Sequence, residues 1–328
     1  MNDSAFVVAA KTALGFALLA FCAPVAHAQA YPAKPVRLIV PFSPGGGTDL
    51  LGRSLAQGLG PLLGQQVIVE NRPGAGGRIG TELLARAAPD GYTLLLVGSS
   101  ALVTAPALYA RLSYRVPQDF APITLIGRAT YVLVVHPSVP ARTVKQLVAL
   151  AKAQPGQLTY ASSGTGSLGH LSGEFFSSLV SVKLIHVPYK GSAPGVLSVM
   201  TGETAIMFSN VVPALPHLMN HRLRPLGVTG LARSPLLPDV PTVDESGLRG
   251  FEVQQLYGFL APAGTPGEIV RRLNQEAARV MQAPDMKKRL AADGSEVAVS
   301  SPEEFEKIIL GEVAKWRKVI RQAGITPE

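Results

Sequence analysis

Residues 36–59, VRLIVPFSPGGGTDLLGRSLAQGL, set a short apolar run, three consecutive glycines and a helical pattern side by side. Val36-Arg37-Leu38-Ile39-Val40 reads as a buried strand, while Leu51, Leu55, Leu59 and Leu62 recur at helical spacing. Between them, PFSPGGGTD (41–49) is a handover from strand to helix. Glycines there let backbone N–H groups approach a ligand, and in open parallel sheets ligands collect beyond the carboxyl ends of the strands. The loop is not a phosphate loop: the required Gly-Lys-Ser/Thr is missing, and no Gly-Lys pair occurs anywhere in the chain. The bland alternative is a turn with Thr48 or Asp49 capping the helix.

The alternation continues outward. QVIVEN (66–71), a glycine-rich turn, a helix near 77–87 and YTLLLVG (92–98) complete a β-α-β-α-β unit with a parallel sheet. The pattern restarts after FAPITLIG (120–127). YVLVV (131–135) leads to a helix from Thr143, whose Thr143-x-x-Gln146 is a capping-box signature. LTYAS (158–162), KLIHVPY (183–189), TAIMFS (204–209) and RPLGV (224–228) then alternate with helices. The last third predicts helices over 266–281, 285–293 and 302–323, the last one opened by Ser301-Pro302-Glu303-Glu304. It has too few strands for a third lobe. The expected fold is therefore α/β with two lobes: residues 31–128 and 231–328 form a discontinuous lobe 1, and residues 129–230 form an inserted lobe 2. Two crossing segments would create a cleft and a hinge.

The first 30 residues are set apart as a secretory signal, because TALGFALLAFCAPVAHAQA (12–30) is an apolar run followed by small residues. Ala26-His27-Ala28 and Ala28-Gln29-Ala30 are both candidate cleavage sites, near Ala28 or Ala30. No later segment approaches the ~20 apolar residues of a membrane helix, so the part beyond the signal is expected to be an exported, soluble protein. Cys22 is the only cysteine and lies inside this segment, preceded by Phe21 rather than the small residue a lipid anchor wants. Without it, disulfides, cysteine nucleophiles and cysteine-ligated metals are excluded. Asp3 and Lys11 cancel, leaving the formal charge of +8 on the remainder. The basic residues are scattered and aromatics are only 6% of the chain, which speaks against nucleic acid; a small anionic ligand, or mere solubility, fits the charge better.

Other strand ends repeat the theme of the first loop. ENRPGAGGRIG places Gly74, Gly76 and Gly77 after the second strand, with Arg72 and Arg78 nearby, and GSSA places Ser99 and Ser100 after the third. In LTYASSGTGSLGHL, Gly164-x-Gly166-x-x-Gly169 resembles a dinucleotide fingerprint, but no acidic residue follows at the end of the next strand. A smaller anion, met by backbone amides and the hydroxyls of Ser162, Ser163, Thr165 and Ser167, fits better. Catalytic patterns are missing: there is no G-x-S-x-G, no H-E-x-x-H and no compact carboxylate pair. His217 and His221 stand four apart without a third metal ligand. His170 could contact a ligand or cap and pack, and Lys190 in VPYKG has the same two readings. No cofactor and no metal are expected.

YPAKPVRLIVPFSPGGGTDLLGR, VIVENRPGAGGRIGTELLARAAPDGYTLLL, LTYASSGTGSLGHLSGEFF and HVPYKGSAPGV, with LPDVPTVDESGL and GFLAPAGTP, together resemble the extracytoplasmic solute receptors of the tripartite tricarboxylate transporter system, the Bug family. The resemblance spans nearly all the chain beyond the signal. It implies a type II periplasmic binding-protein fold that closes like a flytrap on a small carboxylate and hands it to the transporter's membrane components, with no catalysis, acting as a monomer. By position it implies ligand contacts at Phe42, Ser43, Gly46, Thr48, Asp49, Gly76, Ser99 and Ser100 in lobe 1. In lobe 2 it implies Ser162, Ser163, Thr165, Gly166, His170, Lys190, Gly191, Ser209 and Asn210. Many relatives carry aspartate where Ser209 stands, which disfavours amino-acid ligands here. Two alternatives stay open: an enzyme that binds a nucleotide or phosphoester through the glycine loops, and a receptor that feeds a sensor.

Overall fold

The opening apolar run forms strand β1 (Val36–Val40), buried at every position except Arg37. A strand buried on both faces belongs inside a parallel sheet, and β1 lies between two parallel neighbours, β2 (Val67–Asn71) and β3 (Thr93–Gly98). The computed structural model describes residues 31–45, 47–292 and 294–325. From Lys34 onward they form one compact unit. The secretory signal read at residues 1–30 lies outside the described residues, as does Gly46.

Helix α1 (Gly47–Leu63) follows β1, α2 (Arg78–Ala85) follows β2 through a short 3-10 turn (Ala75–Gly77), and a π turn (Ser100–Thr104) with helix α3 (Ala105–Leu108) follows β3. Strand β4 (Phe120–Val135) comes next. Then come α4 (Val144–Ala153), β5 (Thr159–Ser162), α5 (Leu168–Val180), β6 (Ile185–Pro188) and α6 (Ser192–Met200). The chain continues through β7 (Ile206–Asn210), α7 (Val211–Met219), β8 (Arg224–Val228) and β9 (Gln254–Pro262). It ends with α8 (Gly267–Gln282), α9 (Pro284–Ala292), β10 (Ser295–Val297) and α10 (Pro302–Ala323). The strand order is β2-β1-β3-β9-β4-β7-β5-β6, with β8 and β10 also paired to β4.

Strand β4 organises this sheet. Its first part, through Thr130, pairs antiparallel with β9, whereas Tyr131 to Val135 pair with β7 and Val132 to Val135 with β8. One wing of the sheet is thus β1, β2, β3, β9 and β10, and the other is β5 to β8. FAPITLIG and YVLVV read as separate runs in the sequence because Gly127 and Arg128 interrupt the apolar pattern, yet the strand passes through both. Pairing partners decide: β9 on one side and β10 on the other supply the backbone hydrogen bonds. Gly127 is needed for that approach, since a Cβ there would lie 2.8 Å from the carbonyl oxygen of Glu296.

The passage between wings is tied by two threonines. The Thr229 hydroxyl donates to the Val253 carbonyl (2.6 Å) and accepts from the Tyr131 amide (2.9 Å), while the Thr130 hydroxyl accepts from the Gly230 amide (2.8 Å). The last third pairs with β3 through β9 and with β4 through β9 and β10. Its final helix does more. Helix α10 begins with the expected capping box, Ser301 and Glu304 exchanging hydrogen bonds, and buries Phe305, Ile309, Val313 and Trp316 on one stripe. That stripe packs on β4 and on α5, where Phe175 stacks on Phe251 (5.1 Å) and meets Trp316 edge-on (6.3 Å). One core cluster therefore runs under both wings, and a second joins α6 and α7 to β4, β7 and β8. No helix among the described residues is long and apolar enough to cross a membrane.

Candidate functional site

The loop after β1 is organised by a carboxylate in the first turn of α1. Asp49, 1% exposed, accepts from the Gly45 amide (2.9 Å), the Arg53 guanidinium (3.0 Å) and the Asn71 side chain (2.8 Å). Asn71 also donates to the Phe42 carbonyl (3.0 Å), so the end of β2 grips the end of β1. Burial alone would raise the Asp49 pKa; hydrogen bonds from Gly45, Arg53 and Asn71, with the Arg53 charge, outweigh it and hold it below the usual aspartate value. These bonds all go to the protein, so Asp49 shapes the loop.

The neighbouring loops join this one. The Phe42 ring packs against Gly77, and the Ser100 hydroxyl donates to the Gly76 carbonyl (3.0 Å). Ser99 is wholly buried and its hydroxyl accepts from the Leu256 amide (2.7 Å), which pins β9 to the end of β3. Ser43 is exposed and Thr48 half-buried beside Asp49.

In the second wing, a histidine does what Asp49 does in the first. His170 Nδ1 accepts from the Gly166 amide (3.0 Å), and the ring stacks on His186 with centroids 3.9 Å apart. Burial, and then the charge His186 can carry, push the His170 pKa down to about 4, so the ring is neutral and free to accept. Ser162 accepts from the Gly164 amide (3.1 Å) and shares a hydrogen bond with His186 Nε2 (2.7 Å). Tyr160 donates to Glu174 (2.6 Å) behind them. Ser167 caps α5 by accepting from the His170 amide (3.2 Å). Gly166 has a left-handed φ of 78°, and a Cβ there would lie 2.8 Å from Leu108 of α3, on the other wing. Ser163 and Thr165 are half-buried in this loop, and Lys190 is exposed beside Gly191, which opens α6.

A cavity of about 670 Å³ lies between the starts of α1 and α7. Gly45, Gly47 and Leu50 line it from the first wing, Asn210, Val211 and Val212 from the second, and Thr130 and Tyr257 of β4 and β9 from between. Arg53, Ser54 and Gln57 extend it along α1, and Arg289 and Leu290 of α9 close its far side. The first residues of α1 and α7 line it, and a helix N-terminus favours an anion.

Among residues read from the sequence, Asn210 lines this cavity, and Gly45 and Gly47 place the first loop on its wall. Ser209 does not line it: its side chain is wholly buried and donates to the carbonyl of Asn210 (3.0 Å). Several loop amides expected to face an anion are instead occupied within their loops, at Gly45, Gly77, Gly164 and Gly166. Thr130, Tyr257, Gln57 and Arg289 were missed. They come from strands and helix flanks, where no glycine or turn marks them; only a register for β4 and β9 could have exposed the first two.

The two-winged sheet, β4 and β9 passing between the wings, and a cavity where they meet define a periplasmic binding protein of the type II class. The match to a family profile is narrower: residues 51–325 fit the tripartite tricarboxylate transporter family receptor, TctC, and the chain belongs to that family. A Pseudomonas sp. (strain P51) relative, described as the UPF0065 protein in the tcbD-tcbE intergenic region, is 39% identical over 89% of this chain and 87% of its own. Protein BugT of Bordetella pertussis is 37% identical over 92% and 93%. Among solved structures, R. palustris Rpa4515 with adipate superposes with a TM-score of 0.78 at 35% identity, covering 91% of this chain and all of that one. MatC from Rhodopseudomonas palustris with bound malate gives 0.74 at 31%, covering 88% and 100%.

Proposed function

We propose that the protein is an exported receptor that captures a small organic carboxylate in the cavity between the wings and delivers it to the membrane components of a tripartite tricarboxylate transporter. The observation that carries this reading is the cavity itself: two helix starts, Asn210 and two arginines surround it, and among the described residues lining it none is acidic. The adipate and malate held by similar receptors agree with it. In this reading the wings are lobes, residues 31–128 with 231–328 and residues 129–230, and β4 and β9 carry the hinge. Each lobe supplies part of the anion site, so the ligand favours the closed arrangement and shifts the equilibrium toward it.

The first loop supplies one wall at Gly45 and Gly47, with Asn210 opposite; Phe42, Ser43, Gly46 and Thr48 of the same loop are the ligand contacts this reading assigns to it. Asp49, Ser99, Ser162 and His170 act through the loops they hold. Gly76, Ser100, Ser163, Thr165, Gly166, Lys190, Gly191 and Ser209 belong to the surrounding strand ends. The chain works as a monomer after cleavage near Ala28 or Ala30. A thermal-shift screen of mono-, di- and tricarboxylates on protein refolded free of carried ligand tests the reading. The right acid stabilises by ~2.7 kcal/mol at a hundredfold excess over Kd; a screen in which no carboxylate shifts the transition refutes it.

A further inference from the structure

Two guanidinium groups line the cavity, and they are not equivalent. Arg53 is already engaged, its Nε on Asp49 (3.0 Å) and an NH2 on Asn71 (3.1 Å), so its charge is offset within the first loop. Arg289 of α9 is different. It makes a long donation to the Ser54 hydroxyl (3.4 Å) and, among the described residues, no ion pair. A long neutral contact of this kind is readily exchanged for a charged acceptor.

Ser54 is seven residues past Gly47 on α1, which at 1.5 Å per residue puts Arg289 beside a point ~10 Å along the axis from the helix start. The wall between those two points carries the aliphatic side chains of Leu50 and Leu51 of α1 and Val212 of α7 beside the engaged Arg53, and Leu50 and Val212 are 48% and 40% exposed. The cavity therefore offers a site for one anionic group where α1 and α7 begin, a partly apolar middle, and a second cation at its far end.

We infer that Arg289 is a specificity-determining residue that meets a second carboxylate at the distal end of the ligand, so that the protein selects elongated dicarboxylates over short diacids and over monoacids of equal length. The inference rests on the carboxylate reading above and deepens it. Because Arg289 is exposed at the rim, its effect is that of a solvent-screened pair, worth roughly a fivefold change in affinity rather than a thousandfold one.

Isothermal titration of the full-length mature protein, unfolded and refolded to strip carried ligand, uses azelate, nonanoate and succinate as probes. The wild type is expected to bind azelate more tightly than nonanoate and succinate. Arg289→Gln should lower the azelate-to-nonanoate affinity ratio by roughly fivefold, and Lys287→Gln, which removes a charge from the same helix outside the cavity lining, should leave that ratio where it was. A ratio unchanged by Arg289→Gln, a ratio changed equally by Lys287→Gln, or a wild type that prefers nonanoate or succinate overturns the role of Arg289 while the carboxylate receptor stands. Failure of all three acids and of every carboxylate in the thermal-shift screen overturns both.

Discussion

In the loop after β1 the Gly45 amide donates to the side chain four residues on, Asp49; in the loop after β5 the Gly166 amide donates to the side chain four residues on, His170. Both acceptors sit in the first turn of the helix that follows, and both hold a glycine turn at a strand end. They differ in how they accept. Asp49 accepts as a carboxylate, balanced by Arg53; His170 accepts as a neutral imidazole, kept so by burial and by the ring of His186. The same geometry thus rests on two titrations, and acid reaches the second loop first.

The largest expected effect comes from removing the first acceptor. Asp49→Ala removes a buried carboxylate and with it the shared acceptor of the exposed Gly45 amide, the half-buried Asn71 side chain and Arg53. Losing these hydrogen bonds to a charged acceptor is expected to cost ~3–4 kcal/mol in urea unfolding. Acid is next. With a pKa of 6.5 when unfolded and about 4 when folded, His170 takes up a proton on unfolding between those values. Stability therefore falls as pH drops from about 6.5 to 4, by about 3 kcal/mol in all, and stays level with respect to this group below that. Urea midpoints across that window check it, and His170→Gln, which keeps an acceptor without a titration, should flatten the slope. If the slope survives that substitution, the two loops are not set apart by His170.

A smaller effect separates the loops sterically. Gly166→Ala places a Cβ in left-handed backbone and against Leu108, for a cost of ~1–3 kcal/mol by thermal unfolding, whereas Gly45, also left-handed at φ 84°, has open space around it. Gly45→Ala should cost only the backbone share, ~1–2 kcal/mol. Equal losses at the two glycines would mean that the contact between Gly166 and the other wing contributes nothing.

Much of this architecture was legible in the chain because it is local. The run VRLIV, the leucine spacing after Asp49, and the capping residues Ser301 and Glu304 each specify their own element, and each stands where it was read. What was illegible depends on neighbours distant in sequence. Nothing near Gly127 announces that β9 and β10 will carry β4 through it, and nothing near Trp316 announces that α10 will cross to α5. The site divides the same way. Glycine loops mark strand ends, so the wall at Gly45 and Gly47 and the start of α7 at Asn210 could be found. Whether a loop amide faces the cavity or its own helix turns on a single acceptor such as His170, and Arg289 reaches the cavity only through the packing of α9.

The smallest effect tests whether the first-wing loops share a ligand as well as a wall. Ser100 donates to the Gly76 carbonyl across 3.0 Å in a half-exposed setting, joining the turns after β3 and β2; in the second wing the bonds from the Gly164 and Gly166 amides to Ser162 and His170 stay within the one loop they close. Water can replace the Ser100 hydroxyl, so Ser100→Ala should cost no more than about 0.5–1 kcal/mol in thermal unfolding. If Gly76 and Ser100 contact the bound acid, as their place beside Phe42 and Gly77 favours, affinity measured by titration should fall by more than that stability change converts to, beyond roughly fivefold. A fall in affinity that merely tracks the fall in stability would assign the pair to holding the turns, and would leave the first loop and the start of α7 as the whole of the anion site.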